Sequence, residues 1–181
     1  MLIILSGSSG VGKNTIINKL LEDNENLELM TTMTTRDMRP GESQGNPYYF
    51  VTKEEFEKKI EDGEMLEHAL VHGNYYGTSR KILEDKAKSG KILIKDIDVE
   101  GTLNLMKLLG DDVISIYLKP VSIEQLKERL IGRGETEIEK RLNRYEYEES
   151  LSHNYHYTII NDKMDETIDT IYKIMAEKGL R

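Results

Sequence analysis

Apolar residues along this chain follow two rhythms, and their alternation predicts the architecture. Leu2-Ile3-Ile4-Leu5, Ile92-Leu93-Ile94 and residues 113–118 are short, nearly unbroken apolar runs, the pattern of strands buried on both faces. Elsewhere apolar residues recur at helical spacing. Ile16-Ile17 and Leu20-Leu21 mark a helix over 13–22, and Ile168, Ile171, Tyr172 and Met175 mark another over 165–178, stopped by Gly179. Helices are also predicted over 79–89, from Asp98 to 109, over 122–131 and over 138–151, the last mostly polar. Thr52-Lys53-Glu54-Glu55 and Ser122-Ile123-Glu124-Gln125 have the spacing of capping boxes, and the first opens a short helix ending at Gly63. One strand is expected near 28–33, and others at 48–51, 65–71, 75–78 and 157–160, with His72-Gly73-Asn74 joining the middle pair. Strands alternating with helices predict an α/β fold with a parallel sheet covered on both faces, a three-layer core. The short strands crowded between residues 34 and 80 break that alternation and predict an inserted mixed lobe.

With 181 residues, the chain can bury a core of its own as one domain. It has no cysteine, which excludes a disulfide framework, thiolate chemistry and cysteine metal sites. The formal charge of −8 argues against general binding to nucleic acid or to acidic membranes. No apolar run has the length of a membrane span, and the apolar start lacks the basic flank of a signal peptide, so a cytoplasmic protein is expected. Against the acidic background, arginine is concentrated in two places: Arg36 with Arg39, and Arg129, Arg133, Arg141 and Arg144. Two such stretches in an acidic protein suggest sites for small anions.

The first candidate site is Gly7-Ser8-Ser9-Gly10-Val11-Gly12-Lys13-Asn14, between a predicted strand and a predicted helix. Glycines let the backbone wrap so that several N–H groups face one concavity, the helix start adds partial positive charge, and Lys13 adds a full one. That is a nest for nucleotide phosphates, with a bare turn as the alternative. Asn14 stands where Ser or Thr usually offers a hydroxyl to Mg²⁺, and Thr15 follows it. Asp96 ends an apolar strand, where α/β folds place ligand groups, so Asn14 and Asp96 are the candidates for holding a metal through water. Arg36 and Arg39 lie in a polar loop that holds two of the three prolines, and with Tyr48 and Tyr76 they could hold a second phosphate. Glu67 stands in an apolar stretch. It is either a solvent-facing strand residue or, with Thr32 and Thr78, the acceptor for the donor edge of a guanine. The His68/His72 and His153/His156 pairs lack a further ligand for a metal, and Tyr145, Tyr147, Tyr155 and Tyr157 read as packing.

Together these motifs resemble the guanylate kinases of the nucleoside monophosphate kinase group, over nearly the whole chain. Leu5-Ser6-Gly7 through Lys13 is similar to that family's phosphate loop. The run from Thr34-Thr35-Arg36 to Pro40-Gly41-Glu42, with Gly45 and Tyr48, is similar to its acceptor-phosphate signature. Glu67-His68 and the run from Gly73 to Thr78 resemble its guanine segment, Asp96-Ile97-Asp98 its acidic strand end, and Ile160-Asn161-Asp162 its adenine-side loop. The resemblance implies a P-loop kinase core (1–33, 80–125 and 152–181), an inserted GMP-binding lobe of about 34–79, and a helical lid of about 126–151. It implies transfer of the ATP γ-phosphoryl group to GMP with Mg²⁺ and lid closure. Arg36, Arg39, Tyr48 and Tyr76 would hold the GMP phosphate, and Thr32, Glu67, Thr78 and Asp98 would read guanine. Residues 7–14 with Thr15 and Arg129 would hold ATP, Asn161 would lie near adenine, and Lys13, Arg133 and Arg141 would be catalytic. The implied partners are small molecules only, GMP and ATP, with dGMP use and the choice between monomer and homodimer left open.

Three positions depart from the family pattern: Asn14 at the end of the loop, Glu100 where glutamine is common, and a stretch from Arg133 to Arg141 a few residues shorter than in many members. The rival from another class is a domain of this fold that binds phosphorylated peptides without catalysis. The intact glycines and Lys13 favour an enzyme.

Overall fold

The structure is a computed structural model that describes residues 1–71, 73–132 and 134–180. The turn predicted at His72 and the candidate Arg133 thus fall, in the first case partly, outside the described residues. In chain order the elements are β1 (Leu2–Ser6), α1 (Lys13–Asp23), β2 (Leu27–Leu29), β3 (Thr32–Thr34), β4 (Tyr48–Phe50), α2 (Lys53–Glu61), β5 (Met65–Val71), β6 (Asn74–Ser79) and α3 (Arg80–Ala87). They continue with β7 (Ile92–Asp96), α4 (Val99–Leu109), β8 (Val113–Lys119), α5 (Ile123–Gly132), α6 (Ile138–Ser150), β9 (Tyr157–Ile160) and α7 (Met164–Glu177).

Five strands form a parallel sheet in the order β2-β7-β1-β8-β9. The strand alternation sorts side chains between two faces. Ile3 and Leu5 pack with Ile94, Ile114, Ile116 and Leu118 against Ile16, Ile17 and Leu20 of α1 and Ile168, Ile171 and Ile174 of α7. Leu2 and Ile4 face the other way, with Leu93 and Val113, onto Leu105 of α4 and Ile82 and Leu83 of α3. The result is three layers around strands buried at nearly every residue. Because β1 has β7 on one side and β8 on the other, its carboxyl end opens at the point where the chain order reverses, the place where such sheets bind ligands.

The remaining strands form a second, mixed sheet, β4-β3-β6-β5, in which β3 and β4 are parallel and the other pairs antiparallel. The single strand expected near 28–33 is two strands in different sheets. Met30 is fully buried and its N–H still bonds to the Ile94 carbonyl at 2.9 Å, after which the chain leaves the large sheet. The Thr52 capping box is complete, with Thr52 accepting from the Glu55 N–H and Glu55 accepting from the Thr52 N–H. At Ser122 only half of the expected box forms. The Gln125 N–H reaches Ser122 Oγ at 3.2 Å, while the Gln125 side-chain oxygen is buried without a partner. Among the described residues no helix is long and apolar enough to cross a membrane.

Candidate active site

A cavity of about 550 Å³ lies where the two sheets and α6 meet. It is lined by Gly7, Ser9, Gly10, Gly12, Lys13 and Asn14 of the glycine loop, and by Thr32, Tyr48, Glu67 and Tyr76 of the mixed sheet. Asp96 and Asp98 border it at the end of β7, and Lys140, Arg141, Arg144 and Glu148 from α6. Its cations come from the loop and α6, and its carboxylates mainly from β5 and the end of β7.

The loop owes its path to Gly7 and Gly12. Both have positive φ, and a Cβ at Gly7 would overlap the Leu118 carbonyl of β8. Helix α1 begins at Lys13 without a side-chain cap, so the positive end of its dipole lies at the cavity. Lys13 Nζ donates to the Gly7 carbonyl at 2.5 Å and the Ser8 carbonyl at 3.0 Å. Arg141 donates to Ser9 Oγ at 3.0 Å and pairs with Glu135 at 2.5 Å, which ties α6 to the loop. Ser8 and Val11 are buried, with the Val11 side chain in the core, so these two offer backbone groups. Asn14 and Thr15 are exposed, and only Asn14 borders the cavity.

Two further residues named for the ATP side act on the loop from behind. The Asn161 amide nitrogen donates to the Val11 carbonyl at 2.7 Å, its oxygen accepts from Thr167 at 2.9 Å, and the residue is buried. Arg129 reaches the same carbonyl at 3.5 Å. Neither borders the cavity. Asn161, expected near adenine, is thus a buried residue whose polar groups are engaged with the loop and α7.

Glu67 is buried, so it is not a solvent-facing strand residue. The register of β5 against β6 shifts between Met65 and Glu67, and such an irregularity re-aims a side chain. Thr78 Oγ1 donates to Glu67 Oε1 at 2.6 Å. Burial raises the Glu67 pKa to about 7, with the Thr78 hydrogen bond opposing and the nearby Asp98 charge reinforcing the shift. A Cβ on Gly101 would stand 2.8 Å from Glu67 Oε2, so only glycine lets α4 come this close to the carboxylate. Asp98 caps α4 by accepting from the Gly101 N–H at 2.8 Å. Thr32 is buried on β3 and borders the same cavity.

Arg36 is held by Glu42 in a two-pronged pair, with hydrogen bonds of 2.8 and 3.0 Å, and lies 5.7 Å from the Tyr48 ring. That carboxylate keeps the Arg36 guanidinium above its ordinary pKa. Arg39 is exposed, and its backbone N–H also bonds to Glu42, at 2.7 Å. Tyr48 meets Tyr76 edge to face at 5.8 Å, and burial raises its hydroxyl pKa.

Two residues of this neighbourhood have no role assigned from the sequence, Arg144 being named there only as one of the clustered arginines. Arg144 borders the cavity and bonds to the buried Glu148 at 2.8 Å; helical spacing of four would have paired them. Lys95, in the middle of an apolar run, gave no signal. It is 2 % exposed and lies 4.1 Å from the centre of the Tyr48 ring.

A parallel sheet with this strand order, a glycine loop ending in lysine after its central strand, and a small mixed sheet over its carboxyl edge define a P-loop kinase. Residues 1–178 match the family model described as guanylate kinase. A guanylate kinase of Wolbachia sp. subsp. Brugia malayi (strain TRS) is 40% identical over 184 residues, covering 100% of this chain and 94% of the relative. The crystal structure of guanylate kinase from Anaplasma phagocytophilum is similar with a TM-score of 0.80 at 35% identity, covering 100% of this chain and 86% of that one. A shikimate kinase from Acinetobacter baumannii shares the fold alone, with a TM-score of 0.53 at 15% identity over 99% of this chain and 95% of that one. The chain belongs to the guanylate kinase family. It is a nucleoside monophosphate kinase that phosphorylates GMP with ATP as co-substrate.

Proposed function

We propose that the cavity takes both substrates at once, ATP along residues 7–14 and GMP against Glu67, and that the γ-phosphoryl group passes directly between them. In this reading residues 1–33, 80–125 and 152–181 are the core, about 34–79 the GMP lobe, and about 126–151 a lid. The observation that carries it is the buried Glu67 carboxylate, which accepts from Thr78 and borders the same cavity as Lys13 and Arg141. Guanine presents N1–H and N2–H₂ as adjacent donors, and adenine presents no such pair there. A carboxylate with Thr32, Thr78 and Asp98 around it suits the first and leaves polar groups unpaired with the second.

Arg36, Arg39, Tyr48 and Tyr76 hold the GMP phosphate in this reading, with Glu42 fixing the Arg36 fork. The amides of residues 7–12, with Lys13, Asn14 and Thr15, hold the ATP phosphates, and Arg129 and Asn161 stiffen that loop through the Val11 carbonyl. The attacking oxygen belongs to a phosphate already ionised near neutral pH, so alignment and charge neutralisation do the work and no strong base is needed. Lys13, Arg133 and Arg141 offset charge on the transferring group. Closure of α6 excludes water, the competing acceptor.

Asn14 and Asp96 put two oxygen donors from different elements on one cavity with the phosphate loop. Mg²⁺ asks for few protein ligands and keeps several waters, so this donor set fits it, with Asn14 and Asp96 holding it through water. When bound there, Mg²⁺ would supply further neutralisation of phosphate charge. The cysteine-free sequence is in keeping with a cytoplasmic enzyme.

A coupled assay of ADP release with GMP, dGMP, AMP and UMP tests the reading. We expect turnover with GMP, slower or comparable turnover with dGMP, and little with AMP or UMP. ADP release with no nucleotide preference overturns the Glu67 assignment. Light scattering, with and without substrates, decides between monomer and homodimer.

A further inference from the structure

Lys95 is a buried amine that none of the roles above uses, and burial pushes its pKa down. It stands on β7, a strand of the large sheet, and its neighbours belong mainly to the small one. Its ammonium lies 4.1 Å from the centre of the Tyr48 ring and 3.4 Å from the Pro47 carbonyl, with Asp96 Oδ1 at 3.8 Å. These are loose contacts for a charge with 2 % exposure. A methionine would fill the same space without the desolvation cost, so the contacts do not account for the lysine as a stabilising group. The ring it faces is also approached by Arg36, at 5.7 Å. Two basic side chains thus converge on one tyrosine, Lys95 from the large sheet and Arg36 from the loop after β3.

We propose that Lys95 is a positioning residue of the acceptor-phosphate site, holding the Tyr48 ring and the Pro47 carbonyl against the end of β7. This rests on the reading of Tyr48 as a GMP-phosphate ligand. Held this way, the Tyr48 hydroxyl keeps one orientation when the phosphate arrives. The contact also fixes where the small sheet sits relative to Asp96.

The test uses the full chain with Lys95→Met, Lys95→Gln, Tyr48→Leu and the Lys95→Met/Tyr48→Leu double variant, measured for kcat and for both KM values. Removing the amine that faces the Tyr48 ring should raise KM for GMP about tenfold in either Lys95 variant. KM for ATP should stay within about twofold, and the ligand-free melting temperature should be no lower, because a buried charge has gone. The double variant should be little worse than Tyr48→Leu alone, since the lysine acts through the ring. An unchanged KM for GMP in a folded Lys95 variant overturns the proposal, as does a parallel loss for GMP and ATP, or additive effects in the double variant. If Tyr48→Leu itself leaves KM for GMP unchanged, the reading of Tyr48 fails instead.

Discussion

Thr78 donates a 2.6 Å hydrogen bond to Glu67, and both residues are buried at the junction of the two sheets. If Glu67 reads guanine as proposed, this pair should make the affinity for GMP depend on pH. Burial raises the Glu67 pKa to about 7, so the carboxylate that would accept from guanine forms only as pH rises through that value. At pH 6 about a tenth of the sites carry the charge, and KM for GMP is expected to be roughly tenfold higher than at pH 8. GMP's own second ionisation, near 6, contributes to the profile. Glu67→Gln is the control: it should raise KM for GMP at pH 8 and remove the step near 7.

The same shift sets a stability trend of the opposite sense. Between the ordinary glutamate value of 4.5 and about 7, the folded state binds more protons than the unfolded state, so stability falls as pH rises through that window. Above it the penalty is complete. Glu67→Gln should therefore be more stable than the parent at pH 8, by an amount of order 2 kcal/mol, and near parity at pH 4.5. Urea unfolding of ligand-free protein at the two pH values checks this.

Arg36→Lys tests the phosphate fork. Lysine keeps the charge but cannot make the paired 2.8 and 3.0 Å bonds to Glu42 that fix the guanidinium. KM for GMP should rise by about tenfold or more, with KM for ATP unchanged. Glu42→Gln should produce a smaller rise of the same kind. A loss of ATP affinity equal to that of GMP would detach Arg36 from the acceptor side.

Arg141 joins α6 to Ser9 of the loop at 3.0 Å. If it neutralises charge on the transferring group, Arg141→Ala should lower kcat by about 10²–10³-fold with a much smaller change in KM for GMP. Arg133→Ala should show the same split. Steady-state kinetics distinguish this from a binding role, in which KM for ATP would carry the loss.

What could be read from the sequence was what nearby residues determine. The strand, loop and helix at residues 2–23 were legible because glycine spacing and the two apolar periods are local signals. The two faces of the parallel sheet followed from alternation in the strands. The split at Met30 was not legible, since Thr31 and Thr32 continue the pattern and the exit depends on where Ile94 stops offering partners. Glu67 could be marked as out of place among apolar neighbours, but its burial depends on a register shift against β6 that has no local signature. The half-formed box at Ser122 shows a motif whose spacing is right but whose glutamine is turned inward. Lys95 was invisible because its partners, Pro47 and Tyr48, lie far away in the chain.

Asn14 and Asp96 separate two ways of holding Mg²⁺. Both border the cavity, but they are chemically unequal: Asn14 is exposed and offers a neutral amide oxygen, while Asp96 is half-buried and charged. For an ion that keeps most of its waters, a carboxylate that orders those waters contributes more than a neutral amide at the rim. Outer-shell groups of this kind are typically worth 10–100-fold in metal affinity, so Asp96→Asn should raise the Mg²⁺ concentration for half-maximal activity by at least about tenfold. Asn14→Ser, which restores a hydroxyl at that position, should leave that concentration within about twofold. Titrating Mg²⁺ at fixed, saturating ATP and GMP checks both variants. A large change in the Asn14 variant with none in the Asp96 variant would reverse the assignment. It would also make the departure at residue 14 a functional adaptation of the loop, whereas an unchanged Asn14→Ser would make it incidental.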